Sequence, residues 1–223
     1  MTIAAKASEI VAGILARCSH IDAMEFSLIR SANPALRPRS SMLVGNARHT
    51  QAMDTKATVG VSYWQAVLGQ FPGLLAESRA TLEAVTLHNG PGNETFWVKR
   101  DTLQREGLPL QLCSPADTSL NLVSRARKLD GSVEFIPLLD FRVPQSKTNQ
   151  SVAHAVCEHL FDQLDCDGFL IESAHSYHGY GATLLTFREY TQLLGRALLF
   201  DPVVDGRHVA HQLISGMGAL RIG

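Results

Sequence analysis

Residues 120–143 read LNLVSRARKLDGSVEFIPLLDFRV, and this stretch decides the fold. Residues 120–128 and 133–143 are two strand-like runs, and the four residues between them, 129–132, are LDGS. An Asp-Gly pair between two such runs is a strong hairpin signal, because both residues tolerate the positive φ angles of a tight turn. The sequence therefore predicts two antiparallel strands joined by a short turn.

Helix and strand patterns alternate downstream of this hairpin. A helix is expected from about 150 to 164, with Asn149 or Ser151 as its cap. A second helix is expected from about 186 to 199, where Thr186 and Glu189 form a capping-box pattern. The remaining patterns are strands at 169–171, 174–181, 203–205 and 219–222, and a helix at 207–214. The order β-β-α-β-β-α-β-α-β predicts an α+β fold with a mainly antiparallel sheet covered on one side by helices.

The N-terminal part of the chain is predicted to be mainly helical. Residues 3–15 have the apolar spacing of an amphipathic helix, and residues 61–88 have helical periodicity. Between them, residues 26–53 contain four arginines and no acidic residue, which indicates a basic loop: a phosphate-contacting arm or a solvated connection. NGPGN at 89–93 is the strongest break. We therefore expect a helical region over 1–92 and the α+β core over 93–223.

The composition is that of an ordinary globular protein. The 223 residues include 45% hydrophobic and 18% charged residues, with a formal net charge of −1, which excludes global disorder and binding of nucleic acid or membranes through bulk charge. The four cysteines form no C-x-x-C pair, and no apolar run is long enough to cross a membrane. These features predict a cytoplasmic protein with no membrane partner.

Three segments carry residues suited to chemistry. Alternation along the strand places Asp140 and Arg142 on one face, where they serve a ligand or pair with each other. In the same way Ser176 and His178 share a face and could hydrogen-bond the oxygens of a phosphate. Asp205 precedes a predicted helix, which it could cap.

These segments resemble the motifs of the archaeo-eukaryotic primase (primase-polymerase) superfamily; they read LDFR at 139–142, SYH at 176–178 and VD at 204–205. The chain resembles a bacterial primase-like branch of that superfamily in which the first motif is altered. The resemblance implies a core like the RNA recognition motif, with a nucleoside triphosphate as ligand. It also implies that Asp140 and Asp205 are catalytic and hold Mg²⁺ or Mn²⁺, and that Arg142, Ser176 and His178 bind the nucleotide.

The first motif differs from the family pattern at one position. The family has an acidic D-x-D, whereas this chain has Arg142 in place of the second acid. Two-metal catalysis needs several carboxylates, so one ion fits Asp140 and Asp205 better than two. Glu134 and Glu172 are candidate substitutes for the missing acid. Arg142 could instead neutralise phosphate charge directly.

Partners follow from the same resemblance. Arg125, Arg127 and Lys128 on the hairpin could bind the backbone of single-stranded or template nucleic acid, or could simply form a solvated strand edge. A working primase of this size would need a helicase or another protein encoded separately.

Two other functions remain open from the sequence. Loss of the second acid favours a catalytically inactive module of the same fold that binds nucleotide or nucleic acid. A metal-dependent hydrolase would use the histidines His175, His178, His208 and His211.

Overall fold

The computed structural model describes residues 1–4, 6–30, 47–59, 66, 94–112, 118–173 and 175–222. The chain forms two compact units, the first made of Met1–Ile29 with Glu94–Gly223 and the second of Arg30–Asn93. The helices in chain order are α1 (Ala7–Arg17), α2 (Ala47–Val59), α3 (Arg100–Glu106), α4 (Lys147–Asp162), α5 (Phe187–Ala197) and α6 (Gly206–Ser215). The strands are β1 (Thr2–Ile3), β2 (Ile21–Arg30), β3 (Glu94–Lys99), β4 (Thr118–Lys128), β5 (Val133–Phe135), β6 (Leu138–Asp140), β7 (Gly168–Ser173), β8 (Ser176–Gly181) and β9 (Ala219–Arg221).

Two sheets make up the first unit. One has the order β1-β7-β8-β6, in which β1 and β7 are parallel and the other pairs are antiparallel. The other has the order β3-β2-β4-β5, and β9 also pairs with β4. Antiparallel sheets combined with helices confirm the predicted α+β class.

The predicted hairpin forms, but its second run divides between the two sheets. β5 pairs with β4, whereas β6 pairs with β8. The transfer occurs at Ile136 and Pro137: the N–H of Ile136 donates to Ser124 on β4, and the carbonyl of Pro137 accepts from Gly181 on β8. Proline has no N–H to continue a ladder, so the strand can leave the first sheet here. This transfer carries Asp140 to β8.

The close approach of Pro137 explains a glycine on β8. A Cβ built at Gly181 would overlap the ring of Pro137, and one built at Gly179 would overlap Sγ of Cys157 on α4. Residues without a side chain are therefore needed where the transfer segment and α4 lie against β8.

The four-stranded sheet has apolar residues on both faces. Leu138, Tyr180 and Phe169 belong to a core cluster shared with α1 and the five-stranded sheet. The other face, which includes Leu139 and Tyr177, packs in a second cluster with α4, α5 and α6. Side chains alternate along a strand. Asp140 and His178 therefore continue the first face, which is turned toward the five-stranded sheet.

Local capping explains where the helices begin. Thr186 and Glu189 form the predicted capping box at α5. Asp205 caps α6 as predicted. Helix α4 starts at Lys147 with Ser146 as its cap, earlier than expected, because the extended backbone of Ser146 places its hydroxyl to accept from the N–H of Asn149.

The division of the chain differs from the expected boundary near 92. Residues 1–29 belong to the same unit as 94–223, because α1 and β2 supply much of the first core cluster, including Ile10, Ile14 and Phe26. The basic segment 26–53 lies partly in β2 and α2, and its residues 31–46 are outside the described residues. Apart from Ala66, the predicted helices over 61–88 also lie outside them.

Candidate active site

Three of the predicted site residues lie on neighbouring segments of the first unit. Asp140 on β6 is directly opposite His178 on β8. The N–H of Asp205 donates to the carbonyl oxygen of Asp140 at 2.7 Å, and Phe141 forms an isolated antiparallel bridge with Val204. The structure therefore brings together Asp140, His178 and Asp205, which are far apart in sequence.

Asp140 and His178 face each other across the two strands. Nε2 of His178 is 3.5 Å from Oδ1 of Asp140. The side chain of His178 is 10% exposed and that of Asp140 is 27% exposed, so the pair lies at the edge of the buried region. The carboxylate is thus accessible to a ligand, while the imidazole behind it is held in place.

The other ring nitrogen of His178 is anchored from β9. Nδ1 lies 3.3 Å from the carbonyl oxygen of Arg221 and 3.3 Å from the hydroxyl of Tyr180. The Tyr180 hydroxyl donates to the same Arg221 carbonyl at 2.8 Å. The Arg221 carbonyl and the Tyr180 hydroxyl therefore hold the ring of His178 from its Nδ1 side.

Burial sets the charge state of these groups. It lowers the pKa of His178 from 6.5 to about 4, so the ring is neutral at pH 7. It also raises the pKa of Tyr180, an effect to which the negative charge of Asp140 adds. Tyr180 therefore remains a hydroxyl and keeps its hydrogen bond to Arg221.

Asp205 has a structural role already. Its Oδ1 accepts from the N–H groups of Arg207 at 2.9 Å and of His208 at 3.3 Å at the start of α6. Both bonds end on the same oxygen, Oδ1. The positive end of the helix dipole stabilises the charged carboxylate here.

The two predicted phosphate contacts near Asp140 differ in exposure. The hydroxyl of Ser176 donates to the carbonyl oxygen of Phe141, so its hydrogen is used in joining β8 to the segment after β6. Arg142 is exposed, and its N–H donates to Val203 at 2.9 Å. Its guanidinium is the positive group of this motif that solvent reaches.

The basic residues of β4 are paired with acids. Arg125 makes a bidentate contact with Glu25 at 2.5 and 2.6 Å, and Glu25 is only 1% exposed. Arg127 contacts Asp22 at 2.8 Å, and its guanidinium lies 5.4 Å from the centre of the Trp97 ring.

The third basic residue of this strand, Lys128, contacts Glu134 at 2.7 Å. The predicted nucleic-acid contacts thus have intramolecular partners in the same sheet.

Neither candidate substitute for the second acid joins the site. Glu134 is on β5 and bonds to Lys128. Glu172 lies opposite Tyr177, and therefore on the face of β7 and β8 away from His178. The position of the missing acid is not filled by either residue.

The remaining histidines do not form a metal cluster. His175 is exposed, whereas His208 and His211 are buried on α6. Within the part of the chain that the structure describes, no three His, Cys, Asp or Glu side chains are grouped to hold a metal. The histidine-dependent hydrolase has no support from this geometry.

A divalent ion that arrived with a nucleotide would need few ligands from the protein. Mg²⁺ commonly takes one or two carboxylates from the protein and fills its other positions with water and the phosphates of a substrate. Asp140, the more exposed member of the pair with His178, is the carboxylate that could serve in this way.

Sequence reasoning missed the groups that support the site. Tyr180 is two residues beyond His178 on the same face of β8, so strand alternation could have identified it. The Arg221 carbonyl and the partner Glu25 have no signal in the sequence, because long-range pairing brings them into place.

Comparison with models of protein families matches residues 102–223 to the family described as archaeo-eukaryotic primase 1D-like. The chain belongs to this family. The match confirms the resemblance drawn from the motifs and includes Asp140, His178 and Asp205. Comparisons with curated proteins and with solved structures gave no significant match.

Membership makes this archaeo-eukaryotic primase 1D-like chain a primase-like module for nucleotides and nucleic acid in general. Residues 1–29 precede the matched region but pack in the same unit with it. None of the described helices is both long and apolar enough to span a membrane.

Proposed function

We propose that this primase-like protein binds a nucleoside triphosphate with one divalent ion, Mg²⁺ or Mn²⁺, and transfers the nucleotidyl group to the terminal hydroxyl of a growing strand, with release of pyrophosphate. The observation that carries the proposal is the meeting of Asp140, His178 and Asp205 on adjacent segments. Two carboxylates at the edge of a buried region attract a cation, and a bound cation attracts a triphosphate.

Each residue near Asp140 has a part in this proposal. Asp140 and Asp205 hold the ion, which supplies charge neutralisation at the phosphates. Arg142 is exposed beside them and contacts the triphosphate as a cation, in the position where relatives have an acid. Ser176 and His178 line the nucleotide site from β8.

Contact with single-stranded or template nucleic acid would involve the basic side of β4. Arg125, Arg127 and Lys128 are matched by three acids, so this surface has little net charge. A phosphate backbone binding here must compete with those ion pairs, and we therefore expect weak, salt-sensitive binding to DNA or RNA. A separately encoded helicase or other partner would supply the remaining functions of a replication or repair primase.

The test is an extension assay with labelled nucleotides, a primed single-stranded template and Mn²⁺ or Mg²⁺. Extension by the wild type and its loss in Asp140→Asn, with nucleotide affinity measured in parallel, would support the proposal. Asp162→Asn, at the exposed end of α4, is the matched control and should retain full activity. Nucleotide binding that is unchanged in Asp140→Asn would contradict the placement of the site.

A second candidate is a nucleotide-binding module without turnover. Arg142 favours it, because the second motif acid is missing and neither Glu134 nor Glu172 replaces it. Tight, ion-dependent nucleotide binding with no extension product under any metal would support this candidate over the enzyme.

A further inference from the structure

Helix α6 is bonded to β6 at both ends of that strand. At one end the N–H of Asp205, the residue that caps α6, donates to the carbonyl oxygen of Asp140 at 2.7 Å. At the other end the side-chain nitrogen of Gln212, on α6 itself, donates to the carbonyl oxygen of Leu138 at 3.2 Å. Strand β6 is only three residues long, so these two bonds tie both of its ends to α6.

The side chain of Gln212 is held in one orientation by its surroundings. It is completely buried. The Leu138 carbonyl only accepts hydrogen bonds, so the nitrogen of the amide faces it, and the amide oxygen accepts from the hydroxyl of Tyr190 on α5. A Cβ built at Gly218 would overlap that oxygen, so a side chain at 218 would displace the amide from its partners.

The bond from Gln212 removes a freedom that the bond from Asp205 leaves. With a single bond at Asp140, β6 could rotate about that contact on its α6 side. The second bond, at Leu138, fixes the direction of the strand as well as its distance from α6. Because Leu138 and Asp140 are at opposite ends of the same three-residue strand, a displacement at one end reaches the other.

We propose that Gln212 is a positioning residue for the nucleotide site: through Leu138 it fixes β6 against α6, and thereby the placement of Asp140 relative to Asp205. The proposal rests on the proposed function, because it specifies what holds the two acids in the arrangement that nucleotidyl transfer uses. Gln212 acts through the backbone of β6 and touches neither the nucleotide nor the ion. A misplacement of reacting groups by about 1 Å can lower a rate roughly 100-fold.

The first test measures kcat and KM separately in the extension assay, with the full chain. Gln212→Met keeps a similar volume without the amide, and we expect kcat to fall about 10-fold to 100-fold while KM for the nucleotide stays within about 2-fold. Gly218→Ala keeps the glutamine but displaces its amide, and it should lower kcat in the same way. Gln192→Met makes the same substitution at an exposed position of α5 and should leave both constants unchanged.

The second test is amide hydrogen exchange, which does not depend on catalysis. The N–H of Asp205 should exchange about 10-fold faster in Gln212→Met and in Gly218→Ala, because its bond to Asp140 opens more often. The N–H of Ala4, which donates to Leu170 at the opposite edge of the same sheet, should be unaffected.

Three results would overturn this proposal. The first is a wild-type kcat together with wild-type exchange at Asp205 in Gln212→Met. The second is equally faster exchange at Asp205 and Ala4, which would make Gln212 a general contributor to stability. If Gln212→Met does not fold, Gly218→Ala decides the question, and the third result is wild-type behaviour of that variant.

The two measurements also separate this proposal from the proposed function. Absence of extension by the wild-type chain would reject nucleotidyl transfer, whereas exchange at Asp205 would still decide whether Gln212 holds β6 against α6. Extension by the wild type with an unchanged kcat in both variants would reject only the positioning role.

Discussion

The amide of Asp205 donates to the carbonyl of Asp140 at 2.7 Å, so the two motif acids are linked through their backbones as well as through any shared ligand. This bond continues the contact made by the Phe141–Val204 bridge. It sets the distance between β6 and the start of α6. The fold itself therefore sets the positions of the two acids, and no ion is needed to bring their backbones together.

The two oxygens of Asp205 can be tested separately because one of them caps α6. Asp205→Asn retains an oxygen for the cap and should leave the free energy of unfolding within about 0.5 kcal/mol of the wild type. Asp205→Ala removes the cap and should lower it by about 1 kcal/mol. Both should weaken metal-dependent nucleotide binding. Chemical denaturation and calorimetric titration measure the two effects, and normal binding by Asp205→Asn would exclude this carboxylate from the site.

Because Glu25 is buried, its partner Arg125 should be more important for stability than Arg127. Arg125→Ala leaves a carboxylate without its counterion in the interior, and we expect a loss on the order of 3 kcal/mol. Arg127→Ala is the matched control, because both members of the Arg127–Asp22 pair are about one-third exposed, and it should cost roughly 1 kcal/mol or less. Equal losses in urea denaturation would contradict this ranking.

Replacement of Gly179 should be destabilising for a reason that a second substitution can remove. The new Cβ of Gly179→Ala overlaps Sγ of Cys157, and such overpacking costs about 1 to 3 kcal/mol. In the double variant with Cys157→Ala the overlap is gone, so part of the loss should be recovered. A double-mutant cycle measured by thermal unfolding gives the coupling, and strictly additive losses would show that the strain lies elsewhere.

The buried His178 predicts a specific pH dependence of stability. Its pKa is about 4 in the folded state, below its usual value of 6.5. The unfolded chain binds the extra proton first as pH falls, so stability should decrease between pH 6.5 and 4 and then level off. The contribution of this residue is about 3 kcal/mol in all.

His178→Gln lacks this titration and is the comparison for the wild type. The difference between the two stability curves, measured by denaturation at each pH, should therefore narrow as pH falls through this range. A constant difference from pH 4 to 7 would mean that the ring does not titrate as its burial implies.

Local sequence signals were sufficient to predict several elements of the fold. The Asp-Gly turn predicted the β4–β5 hairpin, and the Thr186–Glu189 pattern predicted the start of α5. Each depends on residues close together in the chain, whose hydrogen bonds are made within a few positions. The alternation of side chains along a strand also placed Asp140 with Arg142 on one face and Ser176 with His178 on one face.

Other parts of the fold depend on distant contacts. The run 133–143 has one continuous pattern, and only the competition between β4 and β8 for its hydrogen bonds divides it at Pro137. Likewise β2 joins the first unit because it pairs with β3, more than 60 residues later. Residue propensity and periodicity predict neither the division of 133–143 nor the pairing of β2, because hydrogen bonding to the partner strands determines both.

The anchor of His178 at position 221 is a main-chain oxygen. Every amino acid supplies that atom, so a saturation library at position 221 should look tolerant in a functional selection, provided that β9 keeps its pairing with β4. Libraries at 178 and 180 should be intolerant. Position 221 can therefore hold the imidazole of His178 in place without requiring any particular side chain at that position.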